Sequence, residues 1–180
     1  MLDEYGFEEY ENNEFPLAYL ITIRTLGTWL HGDERHSVDR HGRNIYGTPD
    51  IPPNQKLEEI MKSELKQPPV VLNDSQRKAA ESAIRELCEQ RRYSLKAINV
   101  RSNHAHAVVS AQAKSERIAD AFKAFATKKL REENLCPKSL RIWSRGRSRR
   151  YLWKPRHVAK AIDYVLYGQG DVPFDPEDDD

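Results

Sequence analysis

The sequence contains only two cysteines, Cys88 and Cys136, and no paired C-x-x-C motif. A disulfide scaffold and a structural zinc site are therefore not expected, and a reducing cytoplasm is the default location. The chain also lacks an apolar run of about 18 residues and a basic-then-apolar leader, so neither a membrane span nor export is indicated. With 180 residues, it can bury one core but is too short for two ordinary domains.

Acidic residues are concentrated at the two ends of the chain. Residues 1–16 contain six acids and no base, and residues 171–180 contain six more. The segment between them keeps 16 acids and all 29 Lys and Arg residues, a net charge of about +13, which is the sign that attracts nucleic-acid phosphates. We therefore expect an acidic N-terminal arm at 1–16, one domain at 17–170, and an acidic disordered tail at 171–180. The tail either solubilises the protein or mimics DNA and inhibits it.

Hydrophobic periodicity predicts an α+β fold. An antiparallel sheet covered mainly on one face by helices, a ferredoxin-like or RRM-like sandwich, explains this pattern. The predicted order is a strand at 18–25, a helix capped by Asn73 and ending near residue 90, a strand at 93–100, a strand from His104, a helix at about 115–133, a short strand pair near 142–153 and a helix from Pro155.

Between residues 27 and 70 the periodic pattern fails, and glycine and proline are frequent. This segment is much longer than ordinary connections, which predicts an inserted loop that is functional or partly ordered around a short helix near 57–65. Three histidines, His31, His36 and His41, recur at every fifth residue there. That spacing matches neither a helix face nor a strand face, so Arg35, Arg40 and Arg43 favour substrate contact over a second metal site. The alternative is a flexible surface loop.

Two histidines, His104 and His106, lie in the run that continues as Ala107-Val108-Val109. Residues two apart in a strand share one face, so both imidazoles are expected side by side, where they can bind one divalent ion. The alternative is a strand whose exposed face carries two histidines without a shared function.

The last predicted helix begins at Pro155, a residue well suited to the first helical position. Its apolar stripe, followed at 100° per residue, places Tyr164 at the border of the buried face and Tyr167 in solvent. Lys160 precedes Tyr164 by four residues and therefore lies on the same side of the helix. A tyrosine in this position can also be a simple amphipathic boundary residue.

Basic and aromatic residues alternate between Lys138 and Arg156, with no acid among them. Cations bind phosphates and flat rings stack on unpaired bases, so this mixture favours single-stranded or hairpin nucleic acid. The alternative is a solvated edge with the tryptophans in the core. The predicted DNA contacts are Arg141, Trp143, Arg145, Arg147, Arg149, Arg150, Trp153, Lys154 and Arg156.

Taken in order, these motifs show a family resemblance. The Asn103–His106 run with apolar residues behind it, a helix, a basic segment containing tryptophan, and a last helix with Ala-Ile-x-Tyr-Val resemble the single-tyrosine transposases of the HUH endonuclease superfamily. Within that group the chain is most similar to the REP-associated and IS200-like insertion-sequence transposases, from about Tyr19 to Asp171, apart from the long insertion.

The resemblance implies a metal-dependent endonuclease and strand transferase that acts on single-stranded or hairpin DNA through a 5′-phosphotyrosine. In this chain His104 and His106 would bind Mg²⁺ or Mn²⁺, Tyr164 would attack, and Lys160 would steady the phosphate or neutralise the tyrosinate. The family often has a third ligand one helical turn after the tyrosine, but Gly168 stands there, and Gln169 follows it. Gln169 is therefore the expected third ligand.

Two other functions fit the same motifs. A host-adopted protein that binds hairpins and cuts weakly or not at all would explain the shifted glutamine. A metal phosphoesterase without a covalent step would keep its activity when Tyr164 is lost. A homodimer and a nucleoid-associated cytoplasmic location are further expectations.

Overall fold

The computed structural model describes residues 14–31, 33–34, 37–38, 50–168 and 174. The main sheet and its helices all lie within these ranges. The elements in chain order are β1 (Ala18–Thr25), β2 (Ser37–Val38), β3 (Asp50–Ile51), α1 (Gln55–Ser63), α2 (Asp74–Gln90), β4 (Ser94–Val100), β5 (His104–Ser110), α3 (Ser115–Glu132), β6 (Trp143–Leu152) and α4 (Pro155–Leu166).

The four long strands form one antiparallel sheet in the order β4-β5-β1-β6. With the helices α2 and α3 between them along the chain, this is the ferredoxin-like order that the sequence predicted. The strands β2 and β3 pair with each other as a separate two-stranded sheet. The α+β fold class is thus confirmed.

Each face of the main sheet has its own core. The larger core lies between the sheet and the helices α2 and α3, and it includes Ile21, Ile84 and Phe122. The smaller core lies on the opposite face under α4, where Leu20 and Val108 meet Val165. The second face is therefore partly covered by α4, and this helix brings its own side chains over the sheet.

Local sequence signals predicted most elements well. Asn73 caps α2 in a full capping box. Its side chain accepts a hydrogen bond from the Gln76 backbone N–H, and the Gln76 side chain accepts one from the Asn73 backbone N–H. The short helix of the inserted segment is α1, at 55–63 rather than 57–65. The strand pair predicted near 142–153 was wrong, because one continuous strand, β6, occupies that segment and pairs with β1 along its length.

Within the described part of the chain, no helix has the length and apolar character needed to cross a membrane. Both cysteines are unpaired thiols: Cys88 is buried, and burial raises its pKa to about 11. A thiol held in this state is not ionised near neutral pH and serves as a small apolar core residue.

Candidate active site

The two histidines of β5 lie on the sheet face that α4 covers. In the antiparallel register His106 stands opposite Thr22 of β1, and His104 stands opposite Arg24. Cross-strand partners share a face, so these four side chains form one polar patch beside the smaller core. The two imidazole rings are in edge contact, with centroids 4.6 Å apart.

Hydrogen bonds orient both imidazoles through the same ring atom, Nδ1. His104 Nδ1 lies 2.6 Å from Asn103 Oδ1, and because a carbonyl oxygen only accepts, Nδ1 must donate. His106 Nδ1 lies 2.7 Å from the Thr22 hydroxyl. If His106 also donates from Nδ1, both rings keep a lone pair on Nε2, the tautomer that a metal ligand needs.

His106 is held in its neutral form. Its side chain is buried, and desolvation, helped by the nearby positive charges of His104, Arg24 and Arg101, lowers its pKa to about 3. An imidazole with this pKa does not protonate at physiological pH. The environment therefore favours the state in which the ring can donate electrons to a metal ion.

The helix α4 places Tyr164 against this patch. The Tyr164 ring lies 5.5 Å from the His106 ring, centroid to centroid, in an edge contact. Asn99, which stands opposite His106 on β4, donates from Nδ2 to the Val165 carbonyl at 3.2 Å and ties the end of α4 to the sheet. Tyr167 is 83% exposed. The two tyrosines thus differ as the helical pattern predicted.

Two further contacts surround Tyr164. Phe174, the one described residue of the C-terminal tail, packs against it with ring centroids 5.4 Å apart. Gly168 lies so close that an added Cβ would be 3.2 Å from the Tyr164 Cα. Partial burial raises the pKa of the Tyr164 phenol, and the nearby Arg24 opposes this rise. The resting side chain is therefore a neutral phenol.

Of the other predicted site residues, some lie within the described ranges and some do not. Lys160 is half-buried in α4, one helical turn before Tyr164. Gln169, the predicted third ligand, lies outside the described residues, as do His36 and His41 of the inserted segment.

The alternation of β6 divides the predicted DNA contacts between two faces. Arg147 donates to Asp120 at 2.7 Å, and Arg149 pairs with Glu116, so both side chains lie on the α3 face. Arg150 stands opposite Leu20 and therefore lies on the face of the two histidines. Of these three arginines, Arg150 alone shares a face with the candidate site.

Trp143 cannot make the base contact that the sequence predicted. Its side chain is only 5% exposed and belongs to the core between the sheet and the helices. Trp153, in contrast, is 43% exposed and stacks nearly parallel to Tyr151, with centroids 6.4 Å apart. The other predicted contacts, which all lie at the surface, are Arg141, Arg145, Lys154 and Arg156.

Sequence reasoning missed Thr22, Arg24 and Trp29, and it included Asn103 in the family motif without giving it a role. The guanidinium carbon of Arg24 lies 3.4 Å from the centroid of the Trp29 ring. Thr22 and Arg24 are two apart in β1, as the histidines are in β5, which was a visible signal. Their alignment with the histidines depends on the register between strands that are distant in sequence.

The donor set fits part of a divalent-metal site. Two neighbouring imidazoles, each oriented by a hydrogen bond at Nδ1, are a common pair of metal ligands. No cluster of three or more His, Cys, Asp or Glu side chains suitable for a metal occurs in the ranges that the structure describes. Any further ligand must therefore come from another residue type, from water, from the substrate or from outside these ranges.

Comparison with known proteins gives matches of two kinds. A family model described as "Transposase IS200 like" matches residues 65–165. Two solved structures are similar over 88% of this chain. One is described as a transposase from Deinococcus radiodurans R1, with 13% identity, a TM-score of 0.48 and 95% of its own chain covered. The other is a REP-associated tyrosine transposase bound to a REP hairpin, with 11% identity, a TM-score of 0.47 and 70% of its own chain covered. No curated protein matches the sequence significantly.

Proposed function

Because the chain belongs to the IS200-like transposase family, we propose that it cuts and rejoins single-stranded or hairpin DNA through a covalent bond to Tyr164. The observation that carries this proposal is the contact between Tyr164 and His106, whose rings lie 5.5 Å apart on one face of the sheet. A nucleophile beside a pair of oriented imidazoles is suited to a phosphoryl-transfer reaction.

Tyr164 is the nucleophile of the proposed reaction. Its phenolic oxygen attacks the scissile phosphorus in line with the bridging 3′ oxygen, and the new P–O bond forms as the P–O3′ bond breaks. The proton that leaves the phenol balances the one that the departing 3′ oxygen gains. The products are a 5′-phosphotyrosyl DNA and a free 3′-hydroxyl.

The same residues carry out the reverse step. Attack of a 3′-hydroxyl on the phosphotyrosyl bond restores a phosphodiester and releases the phenol, so one ester replaces another and no external energy source is needed. We assign Lys160, one helical turn before Tyr164, the role of steadying the phosphate or neutralising the tyrosinate as it forms.

His104 and His106 would hold the divalent ion through their Nε2 atoms, with Gln169 the proposed third ligand. When bound, Mg²⁺ or Mn²⁺ would withdraw charge from the phosphate and orient it for attack. Thr22 and Asn103 keep the two rings oriented through their Nδ1 atoms. The neutral state of His106 leaves its lone pair available at physiological pH.

The DNA contacts are proposed along the edge strand β6. Arg150 faces the histidines and is suited to a phosphate near the scissile bond. Tyr151 alternates onto the α3 face, where its ring contacts Tyr19 and its hydroxyl contacts Ser115. The exposed Trp153 ring just after the strand is therefore the surface proposed for an unpaired base. Arg141, Arg145, Lys154 and Arg156 extend the positive surface on either side.

A two-label incubation tests the proposed function. Single-stranded DNA with a hairpin is labelled at the 5′ end in one reaction and at the 3′ end in another, and both are incubated with the protein and Mn²⁺. The 3′ label should migrate with the protein in a denaturing gel, and the 5′ label should appear as a shorter strand that a polymerase can extend. Full-length DNA in both reactions, together with good hairpin binding, would favour the host-adopted binding protein.

A further inference from the structure

Arg24 lies within the candidate site but belongs to none of the motifs considered above. It stands opposite His104 in the register of β1 and β5 and shares a face with Thr22. Its charge acts on both His106 and Tyr164. The side chain therefore lies on the same face as the imidazole pair, close enough for its charge to act on the nucleophile.

The Trp29 ring holds the guanidinium in a defined orientation. The guanidinium carbon lies 3.4 Å from the ring centroid, which is the distance of direct face contact. An arginine that stacks through its face directs its N–H groups outward from the edge, in the plane where a phosphate can accept two parallel hydrogen bonds. A lysine offers no such planar geometry.

The turn after β1 fixes the position of Trp29. Gly27 adopts a positive φ of 79°, a conformation that favours glycine. The Thr28 hydroxyl donates to the Thr25 carbonyl at 3.1 Å, and the Thr25 hydroxyl donates to the Asn103 carbonyl at 3.0 Å. These hydrogen bonds join the turn that carries Trp29 to Asn103, the residue that orients His104.

We propose that Arg24 is a phosphate-binding residue of this site, and that Trp29 holds its guanidinium in the plane needed for two hydrogen bonds to one phosphate of the bound strand. The assignment rests on the proposed function, because that function places a scissile phosphate between Tyr164 and the histidines. The β6 arginines Arg147 and Arg149 cannot take this role, since carboxylates on α3 hold them on the opposite face.

DNA binding without metal tests the contact separately from catalysis. The affinity for labelled single-stranded DNA is measured by fluorescence anisotropy in EDTA over a range of salt concentrations. Arg24→Gln should flatten the slope of log K against log salt by about 0.7, the value for one lost contact to a single strand. Arg24→Lys keeps the charge, so it should keep the slope. Arg85→Gln, which removes an α2 arginine paired with Glu81, is the matched control and should bind as wild type.

The rate of adduct formation in Mn²⁺ then tests the planar geometry. Arg24→Lys should lower kcat by at least tenfold, and Trp29→Leu should lower it more than Trp29→Phe, which keeps a ring under the guanidinium. Circular dichroism melts identify any variant that fails to fold. If Arg24→Gln does not fold, the kcat of Arg24→Lys carries the test, and a wild-type kcat in that variant would overturn the planar contact.

The outcomes separate this inference from the proposed function. A folded Arg24→Gln protein with the wild-type slope and rate overturns the phosphate contact, while adduct formation by the wild type leaves the proposed function intact. If the wild type forms no adduct but Arg24→Gln still flattens the slope, the proposed function is wrong and the phosphate contact stands.

Discussion

Thr22 and Asn103 each make a hydrogen bond to the Nδ1 atom of one histidine, which leaves Nε2 as the nitrogen available to a ligand. The Asn103 side chain can only accept at Oδ1, which fixes the proton of His104 on Nδ1. Thr22 can donate or accept, so the proton position on His106 depends on what its other nitrogen binds. The affinity for a metal ion should therefore depend on residues that never touch the ion.

Thr22→Val removes the hydroxyl that orients His106 and keeps the shape of the side chain. We expect Mn²⁺ affinity to fall by about 10- to 100-fold, as for other partners of metal-bound histidines. Isothermal titration calorimetry measures this loss. Thr22→Ser restores the hydroxyl and should restore most of the affinity, and a Thr22→Val protein with unchanged affinity would mean that the hydroxyl does not position the ring.

Substitution of either histidine tests the proposed ligands themselves. His104→Ala or His106→Ala should abolish cleavage and weaken Mn²⁺ binding, because one imidazole alone is a poor chelator, while hairpin binding remains largely intact. Calorimetry on the double variant gives the answer. Unchanged Mn²⁺ affinity there would remove both residues from the metal site.

The sequence predicted those site residues whose placement depends on a local pattern, and it missed those whose placement depends on strand pairing. The period of two in β5 and the helical period in α4 placed His104, His106 and Tyr164 on the correct faces, because both patterns are local. Arg24 and Thr22 were missed, since their position beside the histidines is set by pairing between strands about 80 residues apart. Tertiary contacts, not propensity, assemble these residues.

Among the elements, β6 is held in an irregular part of its course by a lysine side chain of α3. Lys123 of α3 donates to the carbonyls of Ser144, Gly146 and Arg145, at 2.9, 2.9 and 3.3 Å. These contacts span the irregular register between β6 and the end of β1. The strand therefore continues through Gly146, where the sequence predicted a strand pair.

The faces of β6 predict different effects for its arginines. Arg150→Gln should weaken single-stranded DNA binding and flatten the salt slope by about 0.7, because it removes one phosphate contact on the site face. Arg147→Gln should leave the slope unchanged and lower the free energy of unfolding by about 0.5 kcal/mol, as expected for a partly exposed ion pair. Salt titrations and denaturant melts measure the two effects, and equal slope changes in both variants would contradict the division between faces.

Alanine substitutions at Gly168, just after α4, and at Gly146, in β6, should have different effects on the rate of adduct formation. A Cβ at Gly168 would lie 3.2 Å from the Tyr164 Cα, while a Cβ at Gly146 would meet nothing within 4 Å. Gly168→Ala should therefore shift the tyrosine by a few tenths of an ångström and slow adduct formation about tenfold, since phosphoryl transfer depends on alignment. Gly146→Ala is the matched control. Equal rates in both variants would show that the end of α4 adjusts without moving the nucleophile.

At the scale of the whole molecule, the acidic C-terminal segment and the basic middle carry opposite charge. Residues 171–180 contain six acids, and Phe174 in the same segment contacts Tyr164. The contact brings Phe174 to the candidate nucleophile, and the six acids lie near this residue in the sequence. An acidic segment attached there should compete with DNA phosphates, and salt should weaken that competition.

Two tail variants separate charge from contact. Replacing the six acids of 171–180 by their amides should raise the affinity for single-stranded DNA at low salt and have little effect at high salt, because the competition is electrostatic. Phe174→Ala keeps the charge and should mainly increase access to Tyr164, measured as faster adduct formation. Unchanged affinity of the amide variant at low salt would make the tail a solubilising segment only.

Tyr164, and not Tyr167, is the tyrosine proposed to form the covalent bond to DNA. The most direct measurement is the trapping of protein–DNA adducts from Tyr164→Phe and Tyr167→Phe proteins with Mn²⁺, followed by mass spectrometry of the modified peptide. Tyr164→Phe should bind hairpin DNA and metal but form no adduct, and Tyr167→Phe should react nearly as wild type, because Tyr167 is 83% exposed. An adduct on Tyr167, or cleavage that survives Tyr164→Phe, would contradict the account.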